Sequence, residues 1–168
     1  MIKLLSIFFA IISLTIGTPV QIVEVSDNKL QLEDNPVPLD AKIVLVDDIN
    51  KFKAAHPDLQ LTELVRSEKQ PRNSIRYTLG ARVVGDTLVA TKSDFASYGT
   101  AQNVKLTLTY PTSGTGAVVT HVLVDVQQSS NVGKGYVTGG GIGQRYIQIV
   151  IEAQSTTYFG YSAYIYGR

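Results

Sequence analysis

The clearest pattern in the chain is an alternation of apolar and polar positions that begins well past its middle. In Val104-Lys105-Leu106-Thr107-Leu108-Thr109-Tyr110, residues Leu106, Leu108 and Tyr110 fall on one side, the period-two spacing of a half-buried strand. Pro111–Gly116 supplies proline and glycine turn chemistry. The chain then resumes as Val118–Gln127, with Val118, Val122, Val124 and Val126 on the apolar face and Thr120 among them. Two alternating runs joined by a short glycine-containing loop predict a β-hairpin. Its register is expected to be firm, because a one-residue slip turns the valine row to water. Two more strands are expected. In Gln144–Gln154, residues Ile147, Ile149, Ile151 and Ala153 share a face, with Val150 opposite. In Tyr158–Tyr166, residues Phe159, Tyr161, Ala163 and Ile165 line one face, and Tyr158, Gly160, Ser162, Tyr164 and Tyr166 the other. Ser74–Arg82 and Asp86–Lys92 complete a series of closely spaced strands. Such a series predicts a mainly β fold, an antiparallel sandwich or barrel-like domain over residues 80–168. Too few helical stretches separate the strands for a parallel α/β sheet.

Upstream the pattern is mixed, and residues 18–79 are expected to form a short α/β region. Gln21–Val25, Lys29–Leu32 and Lys42–Val46 have the β-branched content of short strands. Asp47-Asp48 ahead of Ile49 and Phe52 reads as a helix start, and Leu61, Leu64 and Val65 sit at helical spacing. Arg66–Arg76, with Pro71 inside it, reads as a polar linker. Its string Lys69-Gln70-Pro71-Arg72 offers a processing site that would make residues 18–72 a propeptide, the alternative to a retained extension. Composition shifts at the same place. Glycine is absent from Thr18 through Leu79 and frequent afterwards, and all but one of the nine tyrosines lie beyond Gly80.

The N-terminus carries Lys3 and then an uncharged apolar run from Leu4 to Ile16. As a helix this run reaches roughly 20 Å, at about 1.5 Å per residue, short of a bilayer core about 30 Å thick. Thr15-Ile16-Gly17 places small residues at a cleavage position, and Pro19 follows. The pattern is that of a secretory signal peptide over residues 1–17, which implies a secreted, extracellular protein with no membrane anchor after cleavage. Losing Lys3 brings the 15 Lys+Arg into balance with the 14 Asp+Glu. A balanced surface excludes binding to nucleic acid by counterion release, and equally a polybasic grip on lipid. The chain has no cysteine, so packing and sheet hydrogen bonds must hold it without disulfides.

No catalytic set emerges, and the chain is expected to be non-enzymatic, with no cofactor and no metal. The cluster Gly139-Gly140-Gly141-Ile142-Gly143 leads into a β segment and not a helix, so it reads as a tight bend and not a phosphate loop. His121 and Asp125 share the less apolar side of their strand, but four strand residues span about 13 Å. His56 sits in a polar stretch beside Pro57. Neither histidine has the spacing of a metal ligand pair, and the chain has no Gly-x-Ser-x-Gly elbow. The acid pairs Glu33-Asp34 and Asp47-Asp48 are adjacent in sequence, unlike carboxylates set across a cleft. Asp125 and Glu152 are a pair that two strands could set face to face, with a solvated sheet face as the competing reading. The tyrosines Tyr158, Tyr164 and Tyr166 are the candidate binding residues, since tyrosine buries area while keeping a polar tip; cross-strand packing within the sheet competes with that role.

Several stretches resemble the insect multiprotein bridging factor 2 family. They are Leu108-Thr109-Tyr110-Pro111, Thr120-His121-Val122, Val126–Ser130, Gly135–Arg145, Ile149–Ala153, Phe159-Gly160-Tyr161 and Ile165-Tyr166-Gly167. The resemblance covers residues 85–167. It implies no catalytic residues, and it makes the glycine block a structural turn. The family takes its name from a transcriptional co-activator that bridges a DNA-bound regulator to the general transcription machinery, while many similar sequences look like secreted proteins of saliva, venom or body fluid. Together with the leader, this implies a secreted binding or effector protein acting on an unknown protein partner, with the co-activator role as the alternative.

Overall fold

The computed structural model describes residues 37–46, 54, 55, 57, 62–69 and 73–168, all within one compact unit, Asp34–Arg168. The leader, the segments Gln21–Val25 and Lys29–Leu32, Glu33-Asp34, Asp47-Asp48 and His56 lie outside the described residues. Nine strands are present among those described: β1 (Val37–Pro38), β2 (Asp40–Leu45), β3 (Thr62–Glu63), β4 (Val65–Lys69), β5 (Ser74–Gly80), β6 (Thr87–Tyr110), β7 (Val119–Gln128), β8 (Gly133–Gly140) and β9 (Ile147–Gly167). The expected mainly antiparallel β fold is what the chain adopts, as one open sheet. The expected β7 alternation is also present: Val122, Val124 and Val126 are fully buried. At its start a register shift between Val119 and His121 buries Val119 while Val118 stays half-buried.

Two very long strands organise everything else. β6 and β9 pair antiparallel over almost their whole length, Thr87 with Gly167 at one end and Tyr110 with Ile147 at the other. Midway the register shifts between Ser97, Gln102 and Val104. Extra residues in one strand bend it and increase its twist. The bend is pinned by side chains. Asn103 accepts a hydrogen bond from the Ser155 amide at 3.1 Å, and Ser155 holds a positive φ of 53°. The Ser129 hydroxyl accepts from Thr157 N–H at 2.8 Å, and the buried Thr156 hydroxyl accepts from Ser129 N–H at 3.0 Å.

The bend divides the sheet into two limbs. The first runs β1, front half of β6, back half of β9, β7, β5, β4; the second runs β2, back half of β6, front half of β9, β8, β3. Their apolar faces share one core. Tyr77 of β5, fully buried, reaches across to Gly135 and Gly133 of β8, where an added Cβ would lie 3.0 Å or less from its side chain. Val122, Val124, Val126, Phe159 and Ile165 from the first limb join Leu106, Leu108, Ile149 and Ile151 from the second. Burying each such side chain stabilises the fold by about 1.5–3 kcal/mol.

Three expectations about pairing fail. β6 and β7 are consecutive and alternating, yet they do not form a hairpin, because β9 lies between them. The connection 111–118, after a cis Tyr110–Pro111 peptide, carries the chain from the second limb to the first. Ala117 N–H donates to the Tyr110 hydroxyl at 2.8 Å and Arg145 donates to Gly116 O at 2.9 Å, which holds that crossing in place. Of Leu61, Leu64 and Val65, expected at helical spacing, Leu61 lies outside the described residues, Leu64 falls between β3 and β4, and Val65 begins β4, since pairing with β8 and β5 outweighs local periodicity. Of the stretch read as a linker, residues 66–69 and 74–76 are instead paired strand, with Arg66 opposite Tyr77 and Lys69 opposite Ser74, while Gln70, Pro71 and Arg72 of the candidate processing string lie outside the described residues. Of the residues 18–79 expected to be α/β, those described are mostly strand, with Ala54 and Ala55 helical.

Candidate functional site

The outer face of the first limb carries the three candidate tyrosines. Phe159, Tyr161, Ala163 and Ile165 of β9 point into the core, and the alternate residues face outward. Register then places Tyr166 beside Leu88 and His121, Tyr164 beside Thr91 and Leu123, Ser162 beside Ser93 and Asp125, and Gly160 beside Phe95 and Gln127. Tyr158 and Tyr166 are eight residues apart, about 26 Å along a strand, so the sheet spreads the tyrosines into a row and does not gather them at one point.

At one end the row is tied down. The Tyr166 ring stacks on His121 with centroids 5.8 Å apart, and the Arg82 guanidinium lies 3.8 Å from the ring centroid. Arg82 also donates to Asp86 at 2.8 Å. The Asp86 carboxylate, whose side chain is 1% exposed, accepts further bonds from Val83 N–H at 3.0 Å and the Thr120 hydroxyl at 2.8 Å. Arg82, despite the counteracting effect of burial, together with those two donors holds the Asp86 carboxyl well below the usual carboxylate range. His121 is committed as well, with Nδ1 3.1 Å from Leu79 O. It does not meet Asp125, which instead takes two bonds from Arg76 at 2.7 and 2.6 Å. Asp125 and Glu152 are likewise kept apart. Asp125 lies opposite Ser162 in the first limb, whereas Glu152 lies opposite Lys105 and Lys134 in the second.

The other end is open. Gly160 has no side chain, so the outer face dips between β6 and β7 into a cavity of about 360 Å³, lined by Phe95, Gly160, Asp125, Gln127, Ser93 and Ser162 among others. That volume is at the small end for ligand pockets. Phe95 forms its rim, 59% exposed and stacked on Tyr158 at 6.0 Å between centroids. Phe95 belongs to a stretch of β6, Lys92–Ser97, that pairs with β9 on one side and with no described strand on the other. The Asp94 carboxylate accepts a hydrogen bond from Phe95 N–H at 2.8 Å, which satisfies that amide locally. Sequence reading missed Phe95 because Ser93, Asp94, Ala96 and Ser97 around it break the apolar alternation. The only signal was Gly160 among large residues, a gap that something across the strand had to border.

The glycine block forms the β8–β9 connection. Gly140, Gly141 and Gly143 have positive φ, and a Cβ on Gly140 would lie 1.9 Å from Tyr146 O. The block is a turn that only glycine fits at that point. Among the described residues no group of three or more histidine or acidic side chains is placed to hold a metal ion.

The model of one protein family, described as transcription activator MBF2, matches residues 79–167, more than half of the chain's 168 residues. The chain belongs to the transcription activator MBF2 family. The matched segment contains all of β6, β7, β8 and β9, hence both walls of the Phe95 cavity and the whole tyrosine row. No curated protein and no solved structure matches the chain.

Proposed function

We propose that the protein is a non-enzymatic bridging protein of the transcription co-activator kind, and that it meets a protein partner through the open end of the tyrosine row. Membership of the transcription activator MBF2 family carries this reading. The exposed Phe95–Tyr158 stack beside a shallow cavity supports the choice of surface, since aromatic residues beside a pocket are the usual anchors of protein interfaces. The test is stimulation of transcription in a nuclear extract by a DNA-bound activator. Added full-length protein should raise transcript yield, and Phe95→Ala should remove the increase. No stimulation by the wild-type chain would end the co-activator reading.

A second reading rests on the leader. Lys3, the apolar run Leu4–Ile16 and the small residues before Pro19 favour export, and an exported chain would use the same surface on an extracellular partner. Mass analysis of the native protein separates the two. A chain beginning near Thr18 in secreted material supports export. A Met1-containing chain in nuclei supports the co-activator.

A further inference from the structure

The outer margin of β6 is covered at both ends of a gap. β1 pairs with Ala90 and Thr91, and β2 pairs with Val104–Thr109. Between them, Lys92–Ser97 pairs in regular register with β9 and, among the described residues, with no strand on its other side. Lys92, Ser93, Asp94, Phe95 and Ser97 are exposed and Ala96 is half-buried. An open edge of regular strand is a template on which another chain can pair. The partner that every solution of this protein supplies is a second copy. Two identical edges laid antiparallel satisfy each other about a two-fold axis.

Residues that face each other across such an axis lie on the same side of the joined sheet. The axis can then pass through Ser93, Asp94 or Phe95. Centred on Ser93, Lys92 would face Asp94 with opposite charge, but the pairing would run onto Thr91 and Ala90, where β1 already sits. Centred on Asp94, two carboxylates would stand directly opposite, which is destabilising. Centred on Phe95, Ser93 would face Ser97, Asp94 would face Ala96, and the two Phe95 rings would meet beside their Tyr158 neighbours. That pairing would draw on the Phe95 amide, which already donates to the Asp94 carboxylate at 2.8 Å. Asp94 also lies opposite Tyr161, on the side of β9 that points into the core. A charge turned inward on an exposed edge is one of the ways natural sheets refuse edge pairing.

We infer that the Lys92–Ser97 edge of β6 is a self-pairing surface fitted to a second copy of the chain about Phe95, and that Asp94 holds the two copies apart. The inference goes beyond the co-activator reading and stands without it. A self-pair would cover the Phe95 ring, so Asp94 keeps that ring exposed for whichever partner uses it.

The test is the oligomeric state of full-length variants. Asp94→Val removes both the charge and the acceptor, and in sedimentation equilibrium it should tighten dimer association at least about tenfold over wild type. Asp94→Asn is nearly isosteric and covers a failure of Asp94→Val to fold. It keeps an acceptor for the Phe95 amide while lifting the repulsion, and should move association in the same direction by less. The chain has no cysteine, so single cysteines report the register. In the Asp94→Val background, chains carrying Ser93→Cys and chains carrying Ser97→Cys should cross-link with each other faster than either does with itself. Association of both variants equal to wild type, or cross-linking without preference for the mixed pair, would overturn the inference. So would indefinite aggregation in place of a closed dimer, or a wild-type chain that already pairs through this edge. Transcription enters none of these readouts, so their failure leaves the co-activator reading standing.

Discussion

The two ends of the outer tyrosine row use the same residue type for opposite purposes. At Tyr166 every neighbour is committed: Arg82 lies over the ring, His121 stacks against it, and Arg82 is anchored by the buried carboxylate of Asp86. At Tyr158 the stacking partner Phe95 projects into solvent beside a cavity whose floor is a glycine. An aromatic residue fully engaged by its own chain has little left to offer a partner. One that stands exposed over a dip still has area to bury on binding. The tyrosines, alike in sequence, are thus divided by their neighbours into a fastening and a docking edge.

The largest expected effect falls on the fastened end. Asp86→Ala leaves Val83 N–H without its acceptor, removes the carboxylate from Arg82 and leaves the Thr120 hydroxyl only its bond to Tyr166 O, and the thermal midpoint should drop by several degrees in calorimetry. The effect is pH-dependent with a defined sign. The folded-state pKa of Asp86 lies below its unfolded value of about 3.9, so its contribution is complete above that value and is lost as pH falls through the folded one. In urea titrations, the advantage of wild type over Asp86→Asn should hold from neutral pH down to about 4 and shrink progressively below that. A constant gap between the two would remove Asp86 from the fastening.

The open end should respond in binding and not in stability. Phe95→Ala should change unfolding free energy by no more than about 0.5 kcal/mol, as exposed substitutions usually do, while weakening the partner complex at least tenfold in a titration. A smaller effect is expected from Gly160→Ala, whose added Cβ would come 2.7 Å from the Phe95 ring and take part of the cavity. The exposed ring can turn aside, so binding should weaken several-fold with the fold intact. The smallest change is Tyr158→Phe. It removes only a 3.4 Å bond from Asn73 on an exposed site, so circular dichroism melts and binding should both match wild type.

The inner row of β9 was fully legible, because Phe159, Tyr161, Ala163 and Ile165 alternate without interruption and all four are buried. The turn at Gly139–Gly143 was legible for a similar reason, since positive φ and close backbone approach demand glycine locally. Pairing was not. The runs that became β6 and β7 look like neighbours, but both found β9, which lies far along the chain. Nor did local pattern show that Asp86–Lys92 and Val104–Tyr110 are one strand. The residues joining them, from Ser93 to Asn103, are largely polar and exposed, and they are held in strand by β9 more than by their own preference. The candidate site was half visible: the tyrosines were named, but Phe95 and the Arg82–Asp86 anchor depend on cross-strand register and a loop closure that one-dimensional spacing does not encode.

The bend shared by β6 and β9 has a mechanical consequence. Since both strands pass from one limb to the other, the pair acts as a common backbone for the whole unit. A pull on Thr87 and Gly167, which sit opposite each other at one tip, would unzip both layers in succession from that end. Force applied between Tyr110 and Gly167 would instead load the β6–β9 pair in shear, along its entire length at once. The same molecule should therefore be soft in one direction and stiff in the other.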